Sequence, residues 1–297
     1  MCILKGDIMP YSYSPLRYPG GKSQLYDFIL HTLEINHLDK ISYCEPFCGG
    51  AGIAIKLLLK KNVSNIILND ADIAIYSVWK SILDDTNDLI NKILMTPITI
   101  EEWNKQKNIY NLLKAKGEYS LDLAFATFYL NRTNHSGIIS GGPIGGMYQV
   151  GKYKINCRFN KVNLINKIKK IAGNRKHIFI SNYDAIDFID QIMANNSVFK
   201  AFTFFDPPYF KQGNNLYDNF LKASYHNTLA KKIKSINQYW IVTYDDEKEI
   251  RNYYKDCRGW NYNIHYSVNM KRIESELLYC NKDLKIESFK NVSLKDL

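Results

Sequence analysis

The stretch Ile41-Ser42-Tyr43-Cys44-Glu45-Pro46-Phe47-Cys48-Gly49-Gly50-Ala51-Gly52-Ile53-Ala54-Ile55-Lys56 decides the fold class. It starts as a short β-rich run over 41–47, breaks at a proline and a cluster of glycines, and continues as a helical pattern over 51–61. Glycines between a strand and a helix let the backbone approach a ligand closely and aim amide groups at it. The turn has no Gly-Lys-Ser/Thr continuation, so it is no phosphate loop. A plain tight turn would read the same way, and its surroundings must decide.

Outward from this unit, further β-rich runs ending in polar or turn residues lie at 65–70, 177–182, 201–206 and 239–245. A one-sided apolar pattern over 73–83 predicts a helix after the second run. Strands alternating with helices argue for an α/β fold, a mostly parallel sheet with helices on both faces and ligands at the carboxyl ends of the strands. Residues 85–176 break the alternation. They hold no convincing strand, helices are predicted over 100–116 and 121–132, and Gly137, Gly141, Gly142, Gly145, Gly146 and Gly151 suggest a long mobile loop. The chain therefore divides into an α/β part, 1–84 with 177–297, and an inserted, largely helical part, 85–176. A last β-rich pair, 263–269 and 276–280, is expected to close the sheet as an antiparallel edge.

The fourth run ends in Phe204-Phe205-Asp206-Pro207-Pro208-Tyr209-Phe210. An apolar strand delivers a carboxylate, two prolines fix the turn, and an aromatic ring follows. An exocyclic amino group such as adenine N6 is a poor nucleophile, because its lone pair is delocalised into the ring. Asp206 accepting one N6 hydrogen and the Pro207 carbonyl accepting the other would localise that pair. Tyr209 would stack on a base swung out of its duplex. Asp206 need not take a proton beforehand, since methyl transfer itself acidifies the nitrogen. The same run also fits a merely rigid turn. At the end of the second run lies Asn69-Asp70-Ala71-Asp72, where an acid can accept ribose hydroxyls. Asp70 directly follows the apolar Ile66-Ile67-Leu68, and Asp72 is the alternative or a helix cap. Upstream, Leu16-Arg17-Tyr18-Pro19-Gly20-Gly21-Lys22-Ser23 reads either as a loop before a helix or as a source of Tyr18 and Lys22 for a cationic, carboxylate-bearing ligand.

The 297 residues carry 39 Lys+Arg against 29 Asp+Glu, a net charge of +10 that favours a polyanionic partner. The six cysteines, Cys2, Cys44, Cys48, Cys157, Cys257 and Cys280, form no Cys-x-x-Cys pair and no zinc spacing, so free thiols and no metal are expected. Residues 1–10 resemble neither a signal peptide nor a membrane span, and a cytoplasmic location is expected. In the insertion, Arg132, Asn134, Lys152, Lys154, Arg158 and Lys161 are candidates for phosphate or base contacts, or for a solvated basic face.

These segments, in this order, resemble the Dam-type family of adenine-specific (N6) DNA methyltransferases, over residues 16 to about 280. The resemblance implies a Rossmann-like methyltransferase sheet with a helical target-recognition insertion, S-adenosyl-L-methionine as cofactor and double-stranded DNA as substrate. A restriction endonuclease acting separately is a possible partner, and a monomer is expected. Carried over by position, it implies catalytic roles for Asp206, Pro207, Pro208 and Tyr209. Tyr18, Lys22, Pro46, Phe47, Gly49, Asp70, Asp184 and Asp206 would hold the cofactor, and Arg132, Asn134, Arg158 and Lys161 would contact nucleic acid. Tyr18 stands where the best-known members have Trp. Asp184 reads equally well as a helix cap. Tyr217, His226 and Thr243-Tyr244-Asp245 resemble segments that bury the target base, with His226 orienting the loop after Tyr209. Thr133, Asn134 and His135 depart from the aromatic-rich segment of GATC-methylating members, which leaves the target sequence open. Activity on RNA adenine, and an inactive nucleic-acid-binding relative, are the alternative readings.

Overall fold

A computed structural model describes residues 12–18, 22–193, 201–210, 222–265, 273–281 and 283–297. Residues 1–10, Pro19-Gly20-Gly21 and Tyr217, read above from sequence, lie outside the described residues. The Gly-rich unit folds as its pattern requires. β1 (Ser42–Glu45) is buried throughout, and α2 (Gly52–Leu59) follows the glycine turn. β2 (Asn65–Asn69), β3 (Ile178–Ser181), β4 (Ala201–Phe205) and β5 (Tyr239–Asp245) match the other apolar runs, and all pair in parallel. Central parallel strands are covered on both faces, which is why β1 and β4 are apolar without polar alternation.

β6 (Arg258–His265), β7 (Ile273–Cys280) and β8 (Leu294–Asp296) complete one sheet of order β3-β2-β1-β4-β5-β7-β6-β8. The closing pair is antiparallel as expected, but β7 lies between β5 and β6, and β8 forms the edge. From β1 the chain builds outward through β2 and β3, then returns to build the other way through β4 and β5. The carboxyl ends of β1 and β4 therefore flank the switch point, where such sheets open a crevice.

Side chains alternate across the sheet and define two apolar layers. Tyr43, Ile66, Leu68, Phe202, Phe204 and Ile241 face one, and Cys44, Ile67, Phe205, Trp240 and Val242 the other. The first is covered by α1 (Tyr26–Ile35), α2 and α3 (Ile73–Asp84); the second by α8 (Ala185–Phe188), α9 (Ala223–Lys234) and α10 (Lys248–Tyr253). Helices thus occupy both faces.

Among the described residues, the insertion adds no strand to the sheet. It forms α4 (Thr86–Met95), α5 (Ile100–Lys114), α6 (Leu121–Thr133) and α7 (Lys161–Ala172). Thr99, Ser120 and Asn160 cap α5, α6 and α7 by accepting from first-turn amides, each cap contributing about 1 kcal/mol. Leu123, Phe128 and Leu130 of α6 are fully buried in the same apolar layer as α2 and α3, so the insertion shares the core of the α/β part. No helix among the described residues is long and apolar enough to cross a membrane.

Candidate active site

Asp206 follows the last residue of β4, at the mouth of the switch-point crevice. Its Oδ1 accepts from Lys22 Nζ at 3.1 Å and from Thr243 Oγ1 at 3.0 Å. Both donors meet one oxygen, so among the described residues Oδ2 carries no hydrogen bond. Burial raises the Asp206 carboxyl above the usual carboxylate range, Lys22 pulls it back, and the negative charge of Glu276 pushes it up again. Pro207 is buried, and the Tyr209 hydroxyl accepts from Lys22 Nζ at 2.7 Å and donates to Glu276. The turn is closed by Asp245, whose Oδ1 accepts from the Phe210 amide at 2.8 Å. His226 is buried, lies 3.0 Å from the Tyr244 hydroxyl and packs against the Phe210 ring. It supports the turn.

The crevice's other wall is the glycine turn. Gly49 adopts φ +43°, and a Cβ there would lie 2.7 Å from the Tyr18 ring, so only glycine admits this approach. Asp70 binds the turn from β2: its Oδ2 accepts from the Gly49 amide at 2.8 Å and its Oδ1 from the Asp72 amide at 3.0 Å. Asp72 caps α3 through the Ala74 amide at 2.9 Å and pairs with Lys114 at 3.1 Å, so of the two acids Asp70 lines the turn. Burial first, and the neighbouring Asp72 second, push the Asp70 carboxyl up to about 7. Burial likewise pushes Glu45, which accepts from the Ala54 amide, up to about 8. Asn69 Nδ2 ties the turn together by donating to the carbonyls of Pro46 and Tyr183, while Phe47 packs on the second apolar layer. The Trp79 indole donates to the Gly49 carbonyl at 2.8 Å, a support that an apolar helix pattern does not reveal.

Tyr18, Gly49 and Asp70 meet at the glycine turn, and Lys22, Asp206 and Tyr209 meet at the end of β4. Lys22, expected at a ligand carboxylate, is held by Asp206, Tyr209 and Glu276. Asp184 caps α8 through the Ile186 amide and accepts from the Tyr225 hydroxyl at 2.7 Å, the cap reading of this residue.

The nucleic-acid candidates separate. Asn134 is fully buried: its Oδ1 accepts from the Trp103 indole at 2.6 Å, and its Nδ2 faces the carbonyls of Ile138, Ile139 and Gly141. The carboxamide folds the loop that follows. That loop is fastened by these bonds and by the Ile144 amide to the Thr133 carbonyl. Arg132 is half-buried. It bonds to the Arg158 carbonyl, and burial with Arg17 and Arg158 nearby lowers its guanidinium to about 9. Lys161 donates to the carbonyls of Leu94 and Thr96 and so closes the carboxyl end of α4. Arg158 is half-exposed and Lys152 and Lys154 are exposed. Asn131 clamps the loop to the segment bearing Tyr18: its Oδ1 accepts from the Arg17 amide, and its Nδ2 donates to the carbonyls of Arg17 and Gly137.

A Rossmann-like sheet whose switch-point crevice sets a glycine turn and a strand-end acid against an Asp-Pro-Pro-Tyr turn defines a methyltransferase-type α/β protein. More narrowly, the chain belongs to the D12 class N6 adenine-specific DNA methyltransferase family, whose family model matches residues 18–273. It is 27% identical over 206 residues to the Type II methyltransferase M.MjaIII of Methanocaldococcus jannaschii, covering 65% of this chain and 68% of that protein. Against the Type II methyltransferase M.CviBI of Paramecium bursaria Chlorella virus NC1A it is 25% identical over 195 residues, with coverages of 65% and 68%. Among solved structures, the rRNA methyltransferase aviRa from Streptomyces viridochromogenes is similar with a TM-score of 0.38 and 11% identity, over 89% of this chain and 86% of that one.

Proposed function

We propose that this protein transfers a methyl group from S-adenosylmethionine to N6 of an adenine in double-stranded DNA, at a specific sequence. One observation carries the reading: Oδ1 of Asp206 holds both Lys22 and Thr243, which leaves Oδ2 for the N6 hydrogen of a base. The carbonyl of buried Pro207 accepts the second hydrogen, and Tyr209 provides the ring against the base. Lys22 keeps Asp206 ionised as an acceptor, and Asp206 receives the N6 proton once the nitrogen has become cationic.

The crevice fits the cofactor. Asp70 is raised to about 7 because burial and Asp72 leave its charge under-compensated, and ribose hydroxyls would bring the missing donors. Gly49, Pro46, Phe47 and Tyr18 shape the wall beside it, with Asp184 at the neighbouring strand end. S-adenosylmethionine supplies an electrophilic methyl group on a sulfonium centre.

The insertion serves target recognition. Its loop exposes Tyr148 (90%), Val150 (85%) and Tyr153 beside Lys152, Lys154 and Arg158, an aromatic tip among cations suited to stacking and phosphate contact. A cytoplasmic monomer acting on the cell's or a phage's DNA, with a restriction endonuclease acting separately, accords with this reading. The test is Asp206→Ala: transfer of labelled methyl groups to unmethylated DNA disappears while the fold persists, and undiminished transfer would refute the assignment.

A further inference from the structure

Glu276 lies on β7, opposite Asp245 of β5 and Tyr262 of β6, and is 1% exposed. A carboxylate in such a place costs several kcal/mol to desolvate unless it is paired and hydrogen-bonded, and an apolar residue would be the cheaper occupant. Its neighbours along the strand, Leu277 and Leu278, are apolar and fully buried. The burial is compensated by groups of the active site. One oxygen accepts from the Tyr209 hydroxyl, the other from the Tyr262 hydroxyl, and Lys22 Nζ stands 3.6 Å away. The same ammonium donates to the Tyr209 oxygen at 2.7 Å and reaches Asp206 at 3.1 Å.

We infer that Glu276 is a positioning residue for methyl transfer, which with Lys22 grips the Tyr209 hydroxyl and so fixes the ring that meets the target base. The inference rests on the reading of Asp206 and Tyr209 given above. Pro207 and Pro208 fix the ring's backbone end, but a tyrosine can still turn about its side-chain bonds. Its far end is held by a donor, Lys22, and an acceptor, Glu276. Two carboxylates share one ammonium here, so Glu276 also holds Lys22 where it touches Oδ1 of Asp206 and leaves Oδ2 clear. Tyr262 orients Glu276 from the opposite side. The antiparallel insertion of β7 beside β5 is what brings a residue near the end of the chain to the end of β4.

Methylation of unmethylated duplex DNA by the full chain, with kcat and the KM for S-adenosylmethionine measured separately, tests this for Tyr209→Phe, Glu276→Gln and the double variant. Each single change is expected to lower kcat by about 10- to 100-fold, the rate equivalent of one hydrogen bond to a charged group, with KM for S-adenosylmethionine within about twofold. The loss in the double variant should fall well short of the product of the two single losses, because both changes break the shared Tyr209–Glu276 contact. Wild-type kcat in either single variant, or losses that multiply in the double, would overturn the inference. If Glu276→Gln does not fold, Tyr262→Phe decides, since it removes the hydroxyl that orients Glu276 while leaving Tyr209 and Lys22 in place, and wild-type kcat there would overturn the inference. A wild-type chain that transfers no methyl group refutes the activity itself, a result distinct from an active chain indifferent to Glu276.

Discussion

Replacing Asp70 by asparagine should make the ligand-free protein more stable at pH 8 and a poorer binder of S-adenosylmethionine. The carboxyl is raised from its ordinary 3.8 to about 7. The folded state therefore holds the Asp70 proton more tightly than the unfolded chain does, and stability falls as pH rises from about 4 to about 7. Above pH 7 both states are ionised and the whole penalty is present, up to about 4 kcal/mol for a displacement of this size. Asparagine cannot ionise. Near pH 3.5, where Asp70 is largely protonated in the folded and the unfolded state alike, the two proteins should have similar stability, because a carboxyl and a carboxamide each offer one acceptor oxygen to the Gly49 and Asp72 amides. Binding runs the opposite way: ribose hydroxyls favour the carboxylate, so wild-type affinity should rise with pH by at most tenfold per unit and flatten above 7. Urea unfolding near pH 3.5 and at pH 8 reads the first effect, and calorimetric titration with S-adenosylmethionine between pH 5 and pH 8 reads the second. Equal stability slopes, or affinities of wild type and variant that change alike with pH, would refute the reasoning.

Four further outcomes follow from the same geometry. Gly49→Ala places a side chain at φ +43° and against the Tyr18 ring; left-handed strain alone costs about 1–2 kcal/mol, and calorimetry should show at least about tenfold weaker cofactor binding. Asn134→Ala, losing the Trp103 bond and the loop carbonyls, should destabilise the fold by about 2–4 kcal/mol in urea unfolding, whereas a DNA contact would lower DNA affinity at unchanged stability. Tyr148→Ala at the exposed loop tip should leave the melting temperature unchanged and weaken DNA binding about tenfold in fluorescence anisotropy. Because Asp206 acts ionised and is raised by burial, activity should fall in acid from above the ordinary carboxylate range; Lys22→Met, removing the cation that lowers it, should move that limb of the pH–rate profile to still higher pH.

The parallel half of the sheet was legible because each strand is a short apolar run stopped by a polar residue, and because strand-end acids such as Asp70 and Asp206 sit where parallel strands deliver them. The insertion's α5 and α6 carry recognisable patterns, but α4 and α7 were not read. A side chain such as Asn134 or Arg132 has the chemistry of a DNA contact, yet whether it points outward or folds the loop depends on Trp103 and on backbone carbonyls that no spacing reveals. Glu276 was missed for a related reason. In Ile273-Glu274-Ser275-Glu276-Leu277 an acid looks like one more solvent-facing residue, and only the placement of β7 between β5 and β6, with Lys22 arriving from the other end of the chain, makes it part of the site.

The central claim is tested most directly by incubating the protein with undermethylated duplex DNA and methyl-deuterated S-adenosylmethionine, then digesting the DNA to nucleosides for mass spectrometry. The account predicts deuterated N6-methyl-2′-deoxyadenosine, absent with Asp206→Ala. Label in cytosine, no label in DNA, or label only when RNA or protein is offered instead would contradict it.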